Sequence, residues 1–140
     1  MGLILCATRG GEASYCTQQE AINLAKDRGD EIVFLYIINL EFLNKTSAPI
    51  VVDIENELVQ MGRFFLLMAE ERAEEQGVKV RTICRRGIVR DEIKKAVREE
   101  NATLVVLGRP VGKLSQFHVS SLLALAAEIE EETDAETKIV

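Results

Sequence analysis

The sequence is poor in reactive and cross-linking residues. Across 140 residues it has one histidine, His118, and three cysteines, Cys6, Cys16 and Cys84. An odd number of cysteines with no CxxC spacing argues against a disulfide or zinc framework and fits free thiols in a reducing compartment. No HExxH, EF-hand or Gly-x-Ser-x-Gly pattern occurs. His118 has two readings, a catalytic base or a solvated or capping residue at the start of the last helix, and the second is preferred.

Long hydrophobic runs are also missing. None approaches the ~20 residues that span a bilayer, so no membrane insertion is expected. The apolar opening Met1–Cys6 lacks a basic leader and reaches Arg9 almost at once, unlike a secretory signal. The expected location is cytoplasmic. Positive charge is in deficit, with 17 Lys and Arg against 23 Asp and Glu and a net charge of −6. That field disfavours nucleic acid and anionic membrane, although a local basic patch could still hold a small anion.

What is present is an ordinary globular composition. A hydrophobic fraction of 47% with 29% charged residues argues against disorder. The length suits one domain over residues 1–140.

Short apolar runs alternate with helical patterns. Leu3–Ala7 reads as a strand ending at Thr8-Arg9-Gly10-Gly11. From Glu12, Ala13, Cys16, Ala21, Leu24 and Ala25 approximate one helical face, with Gly29 as its stop. Ile32–Ile38 is apolar throughout, as a strand covered on both faces is. Residues Asn39–Val52, which include Pro49, read as a connecting loop.

Ile54, Leu58, Met61, Phe65, Met68 and Arg72 form a helical stripe, and Met61, Phe65 and Met68 are expected in the core. Phe64 and Leu67 lie off that stripe, so this helix is expected to present a second apolar face, for instance to another subunit. Val78–Cys84 reads as a charged edge strand broken at Gly87, and Val89, Ile93, Ala96 and Val97 as a short helix. Thr103–Leu107 is a buried strand closed by Gly108-Arg109-Pro110. A helix over Val119–Glu132 and a short last strand at Thr137–Val140 complete the chain.

This order predicts an α/β fold, an open parallel five-stranded sheet with strand order 3-2-1-4-5 and helices on both faces. Ligands in such sheets bind beyond the carboxyl ends of the strands at the topological switch. That crevice would lie between Arg9-Gly10-Gly11 and Gly108-Arg109-Pro110.

Ile4-Leu5-Cys6-Ala7-Thr8 with Gly10 and Glu12-Ala13-Ser14 is similar to the opening of universal stress proteins. Phe34–Asn39, Arg86–Ile93 and Ala102–Gly108 resemble their second strand, the glycine turn into their third helix and their fourth strand. The resemblance implies the adenine nucleotide alpha hydrolase-like fold. It also implies a division between members that bind ATP and members that do not.

Binders in that family carry an aspartate after the first strand, and a Gly-x-x-Gly run with a later Gly-Ser/Thr pair that holds the phosphates. Here Arg9 stands at the aspartate position. Gly108 matches the first glycine, Val111 replaces the second with Gly112 one residue late, and Ser121 and Leu122 fall on the last pair. An aspartate accepts hydrogen bonds from ribose, whereas a guanidinium only donates, so ATP in the family's usual pose is not favoured. Arg9 could instead hold a phosphate or carboxylate.

By the same resemblance, Thr8, Arg9, Ile37, Gly87, Gly108, Arg109, Gly112, Lys113, Ser120 and Ser121 are the candidate ligand-binding residues. Lys113, Ser115, Ser120 and Ser121 could form a shifted phosphate loop.

The expected role is a non-catalytic stress-response or regulatory protein. The alternatives are a nucleotide binder with at most slow ATPase activity, or an interaction domain regulating a membrane transporter. The family commonly dimerises through its last strand, so a homodimer pairing at Ile139-Val140 is expected. The basic run Arg81, Arg85, Arg86 and Arg90 reads as a solvated edge or as an anion or partner surface. The acidic residues Glu128–Glu136 oppose the dipole of the last helix, which would fray there or be neutralised by a partner. Cys6 is expected to be buried and inert.

Overall fold

The computed structural model describes residues 2–9, 14–38, 48–108 and 119–140, with the backbone alone for 48–54 and 119–120. The elements follow the order β1 (Leu3–Ala7), α1 (Tyr15–Arg28), β2 (Glu31–Ile38), α2 (Ala48–Glu75), β3 (Val80–Arg86), α3 (Val89–Glu100), β4 (Leu104–Leu107), α4 (Val119–Glu132) and β5 (Glu136–Ile139). The sheet has the order β3-β2-β1-β4-β5 with every pairing parallel, as the alternation of strands and helices predicts.

Strand pleat sorts the core into two layers. Leu3, Leu5, Val33, Leu35, Val105 and Leu107 point to the side covered by α3 and α4. Ile4, Cys6, Ile32, Phe34, Leu104 and Val106 point to the side covered by α1 and α2. β1, β2 and β4 are buried almost throughout, whereas β3 and β5 alternate between exposed and half-buried, as outer strands do.

α4 keeps the bounds read from the sequence and α3 buries Ile93, Ala96 and Val97 as expected, whereas α1 and α2 depart from the sequence reading in phase or extent. α1 begins at Tyr15 with Ser14 as its N-cap and ends at Gly29 in the left-handed conformation. Its inner face is Thr17, Gln18, Ala21, Ile22 and Ala25, so Cys16, which the spacing groups with Ala21 and Ala25, lies off that face and is exposed. α2 starts at Ala48, inside the stretch read as a loop. Pro49 falls in its first turn, where the missing N–H has no helical partner to lose.

The inner residues of α2 are Gly62, Leu66, Ala69 and Ala73, not the stripe through Met61, Phe65 and Met68. Met61 is 49% exposed, while Phe65 and Met68 are half-buried on the shoulders. The reason is close approach. A Cβ at Gly62 would fall 2.7 Å from Cδ1 of Tyr36, so the helix lies low over β2 and leaves no room for a side chain at that position. Phe64 and Leu67 form the second, outward face that their spacing predicts, at 58% and 52% exposure.

Ion pairs tie the outer elements together. The basic run is engaged within the chain, Arg81 with Glu31 at 2.7 Å and Glu100 at 3.0 Å, Arg85 with Glu92 and Glu99, and Arg86 with Glu55. Arg90 donates to Glu128 at 2.7 Å, and Lys94 lies 3.6 Å from Glu128 and 3.3 Å from Glu132. α3 thus supplies cations to Glu128 and Glu132, while Glu131, Asp134 and Glu136 are exposed to solvent. Glu130 accepts from the backbone N–H and hydroxyl of Thr137, which fastens α4 to β5.

The Arg90 hydrogen bond, helped by the charges of Arg90 and Lys94, holds the Glu128 carboxyl below the usual carboxylate range. A folded value below the unfolded one makes this contribution complete above about pH 4.3 and drains it as pH falls through the folded value. The urea midpoint is expected to drop between about pH 6 and about pH 3, and to drop less in Glu128→Gln. Equal drops in the two proteins would show that this pair does not report on stability.

Candidate functional site

The switch in strand order lies between β1 and β4, which run parallel with Cys6 opposite Val106. Their next residues, Thr8 and Arg9 on one side and Gly108 on the other, stand at the carboxyl edge where the two crossovers diverge. Thr8 is anchored by its N–H to the carbonyl of Leu35 at 2.8 Å and is 5% exposed. Arg9 is exposed, and its Nη2 lies 3.4 Å from the carbonyl oxygen of Gly108, a long contact across the switch.

Ile37 is half-buried on β2, beyond the end of β1, and packs against the α3–α4 side core. Gly87 follows β3 and donates its N–H to Ile38 at 3.0 Å. Five candidates, Thr8, Arg9, Ile37, Gly87 and Gly108, thus gather along one edge of the sheet. Ser121 is half-buried in the first turn of α4. Arg109, Gly112 and Lys113 lie outside the described residues, as do Ser115, His118 and the side chain of Ser120.

Two of the glycines have reasons that involve no ligand. Gly87 has φ of +145°, and a Cβ there would also meet Oε1 of Glu92 at 2.9 Å. A Cβ on Gly108 would stand 2.6 Å from Oγ1 of Thr17, a buried residue of α1. Gly108 lets the start of α1 close onto the end of β4.

A buried polar chain behind Thr8 escaped the sequence reading. Gln18, 2% exposed, donates from Nε2 to Oγ1 of Thr8 at 2.9 Å and accepts from Nη1 of Arg72 at 3.0 Å. The Arg72 guanidinium also lies 3.9 Å above the Tyr15 ring. The chain runs from α2 through α1 to the end of β1 and fixes the backbone on which Arg9 is carried. Its signal in the sequence was a glutamine three and seven residues before Ala21 and Ala25, on the inward phase of α1.

Two of the three thiols are held toward the protonated form. Burial pushes the Cys6 thiol up to about 12, so it stays protonated. The Cys84 thiol is also pushed up, burial outweighing the opposing charges of Arg63 and Arg86.

Gly108→Ala is expected to destabilise the fold by about 1–3 kcal/mol, because α1 or Thr17 must shift. Arg72→Ala is expected to cost a similar ~1–3 kcal/mol by leaving the buried Gln18 carbonyl without its donor. Urea denaturation of each variant reads both, and a wild-type midpoint for Gly108→Ala would show that the contact relaxes freely.

A family model described as "Universal stress protein family" matches residues 1–136. Over 106 residues, 75% of the chain, the sequence is 28% identical to a universal stress protein of Methanocaldococcus jannaschii, and the match spans 62% of that relative's length. Universal stress protein UspA of Lactobacillus plantarum shares the fold with a TM-score of 0.83 at 14% identity, over 99% of this chain and 97% of its own. A universal stress protein of Archaeoglobus fulgidus, solved in complex with dAMP, aligns with a TM-score of 0.67 at 13% identity over 99% and 96%. With the family model covering almost every residue and the strand order matching, the chain belongs to the universal stress protein family.

Proposed function

We propose that the chain is a non-catalytic stress-response or regulatory protein of the universal stress protein type. Residues 1–140 act as one domain whose crevice at the β1–β4 switch takes a small anion rather than ATP in the family's usual pose. Arg9 carries this reading. It extends directly from the end of β1, where it can offer hydrogen-bond donors but no acceptor to a ribose. A planar, permanently charged fork suits a carboxylate or a phosphate, and Arg109 and Lys113 follow Gly108 closely enough in sequence to add to it. The protonated Cys6 thiol is consistent with a site that binds and does not attack.

The protein is proposed to act in the cytoplasm as a homodimer through the outer edge of β5. That strand is last in the sheet order and pairs with β4 alone among the described strands. An open edge is a template for a second chain. Size-exclusion chromatography with light scattering is expected to return twice the chain mass, and a monomer refutes this assembly.

One observation favours a second reading, nucleotide binding through a rearranged phosphate loop. The dAMP held by the Archaeoglobus fulgidus neighbour is a monophosphate, which needs no cradle for a β- and γ-phosphate. A single phosphate could meet Arg9 from the crevice. Calorimetric titration with ATP, AMP and inorganic phosphate, with and without magnesium, separates the two readings. The first expects no heat from ATP at about 1 mM and phosphate binding that Arg9→Ala abolishes. Tight ATP binding that is indifferent to Arg9→Ala sinks it, and AMP binding lost in Arg9→Ala establishes the second.

A further inference from the structure

We infer that the outward face of α2 is a docking surface for a basic amphipathic helix of a partner protein. Met61, Phe64 and Leu67 are 49%, 58% and 52% exposed and form one stripe along this helix. The outer face of a surface helix is ordinarily polar, and a grouped apolar stripe rimmed by charge marks an interaction site. The Phe64 ring is braced against Phe65, with centroids 6.1 Å apart, so the stripe is a firm surface.

The rim is acidic. Glu57, Glu71, Glu74 and Glu75 are exposed and Glu70 half-buried, and none of the five has an ion-pair partner among the described residues. Elsewhere the glutamates facing neighbouring elements are paired, as Glu31, Glu55, Glu100 and Glu128 are. Arg63 is the one exposed cation beside the stripe, because Arg72 is turned inward to Gln18 and Tyr15.

This charge pattern selects the occupant. The apolar residues 61, 64 and 67 are symmetric about Phe64, so an antiparallel pairing of two copies that covers all three must centre there. It would set Glu57 of one copy against Glu71 of the other, a like-charge contact with no compensating cation. An anionic membrane meets the same repulsion. A partner helix with apolar residues at i, i+3 or i+4, and i+7, flanked by Lys and Arg, covers the stripe and neutralises the rim together. α2 packs on β2 and β3, away from β5, so such a helix leaves the β5 edge accessible.

The test titrates a fluorescent 18-residue Leu/Lys amphipathic peptide into the full chain and follows anisotropy. Wild type is expected to bind, with affinity falling as salt rises. Phe64→Ser is expected to weaken binding at least tenfold, and Glu71→Lys with Glu75→Lys to weaken it and flatten its salt dependence. A Leu/Glu peptide of the same pattern is expected not to bind. Phe64 is exposed, and thermal melts check that its variant stays folded. No wild-type binding, or binding unchanged by Phe64→Ser, overturns the proposal. So does sedimentation showing that Phe64→Ser dissolves a dimer, which would assign the stripe to a second copy.

Discussion

The molecule depends on one strand being closed on every side. β1 is paired along both edges, to β2 and to β4, and Ile4, Leu5 and Cys6 are fully buried. A strand with no exposed edge and no exposed face must have helices on both sides of its sheet. With right-handed crossovers, α1 leaves β1 toward one face and α4 leaves β4 toward the other, which opens a gap between the carboxyl ends of these two strands. Thr8, Arg9 and Gly108 are at that gap because the burial of β1 leaves its carboxyl end as the place where backbone emerges.

Its closure also explains why the candidate site is built from glycine contacts and a buried polar chain. Bringing α1 onto β1 and β4 together requires Gly108 to admit Thr17. It also brings Gln18 under Thr8, inside the core. A buried amide must find partners for both its nitrogen and its oxygen. Thr8 takes one and Arg72 supplies the other. α2 is thereby linked to the end of β1 by hydrogen bonds as well as by packing. The Arg72 guanidinium is held over the Tyr15 ring, and the residue as a whole is half-buried.

The strands and their order were legible in the sequence because their signals are local. Leu3–Ala7, Ile32–Ile38 and Thr103–Leu107 are unbroken apolar runs, and the charges of Arg81 and Arg85 mark an edge. α3 was legible in phase as well, through Ile93, Ala96 and Val97, but α1 and α2 were legible in existence and not in phase. In α2 the large residues Met61, Phe65 and Met68 suggest the inner face, whereas the sheet selects Gly62, Leu66, Ala69 and Ala73, and the need for a glycine at 62 appears only once Tyr36 lies beneath it. Gln18 was passed over for the same reason, since its partners are 10 and 54 residues away. The ion pairs of the basic run were invisible because Glu31, Glu55 and Glu99 come to it from other elements.

The candidate site residues are not equally informative about ligands. Gly87 and Gly108 match family glycines, yet each has a packing reason sufficient to keep it, a positive φ with Glu92 nearby for one and Thr17 for the other. A glycine that the fold needs would remain whether or not a phosphate ever bound, so Gly108 says little about ATP. Arg9 is different. It is exposed, and its contact to the carbonyl of Gly108 is long. A guanidinium at the end of β1 only donates hydrogen bonds, which is why the proposed ligand is an anion rather than a ribose hydroxyl. The proposal of an anionic ligand therefore rests on Arg9, while Gly87 and Gly108 are explained by packing and backbone conformation alone.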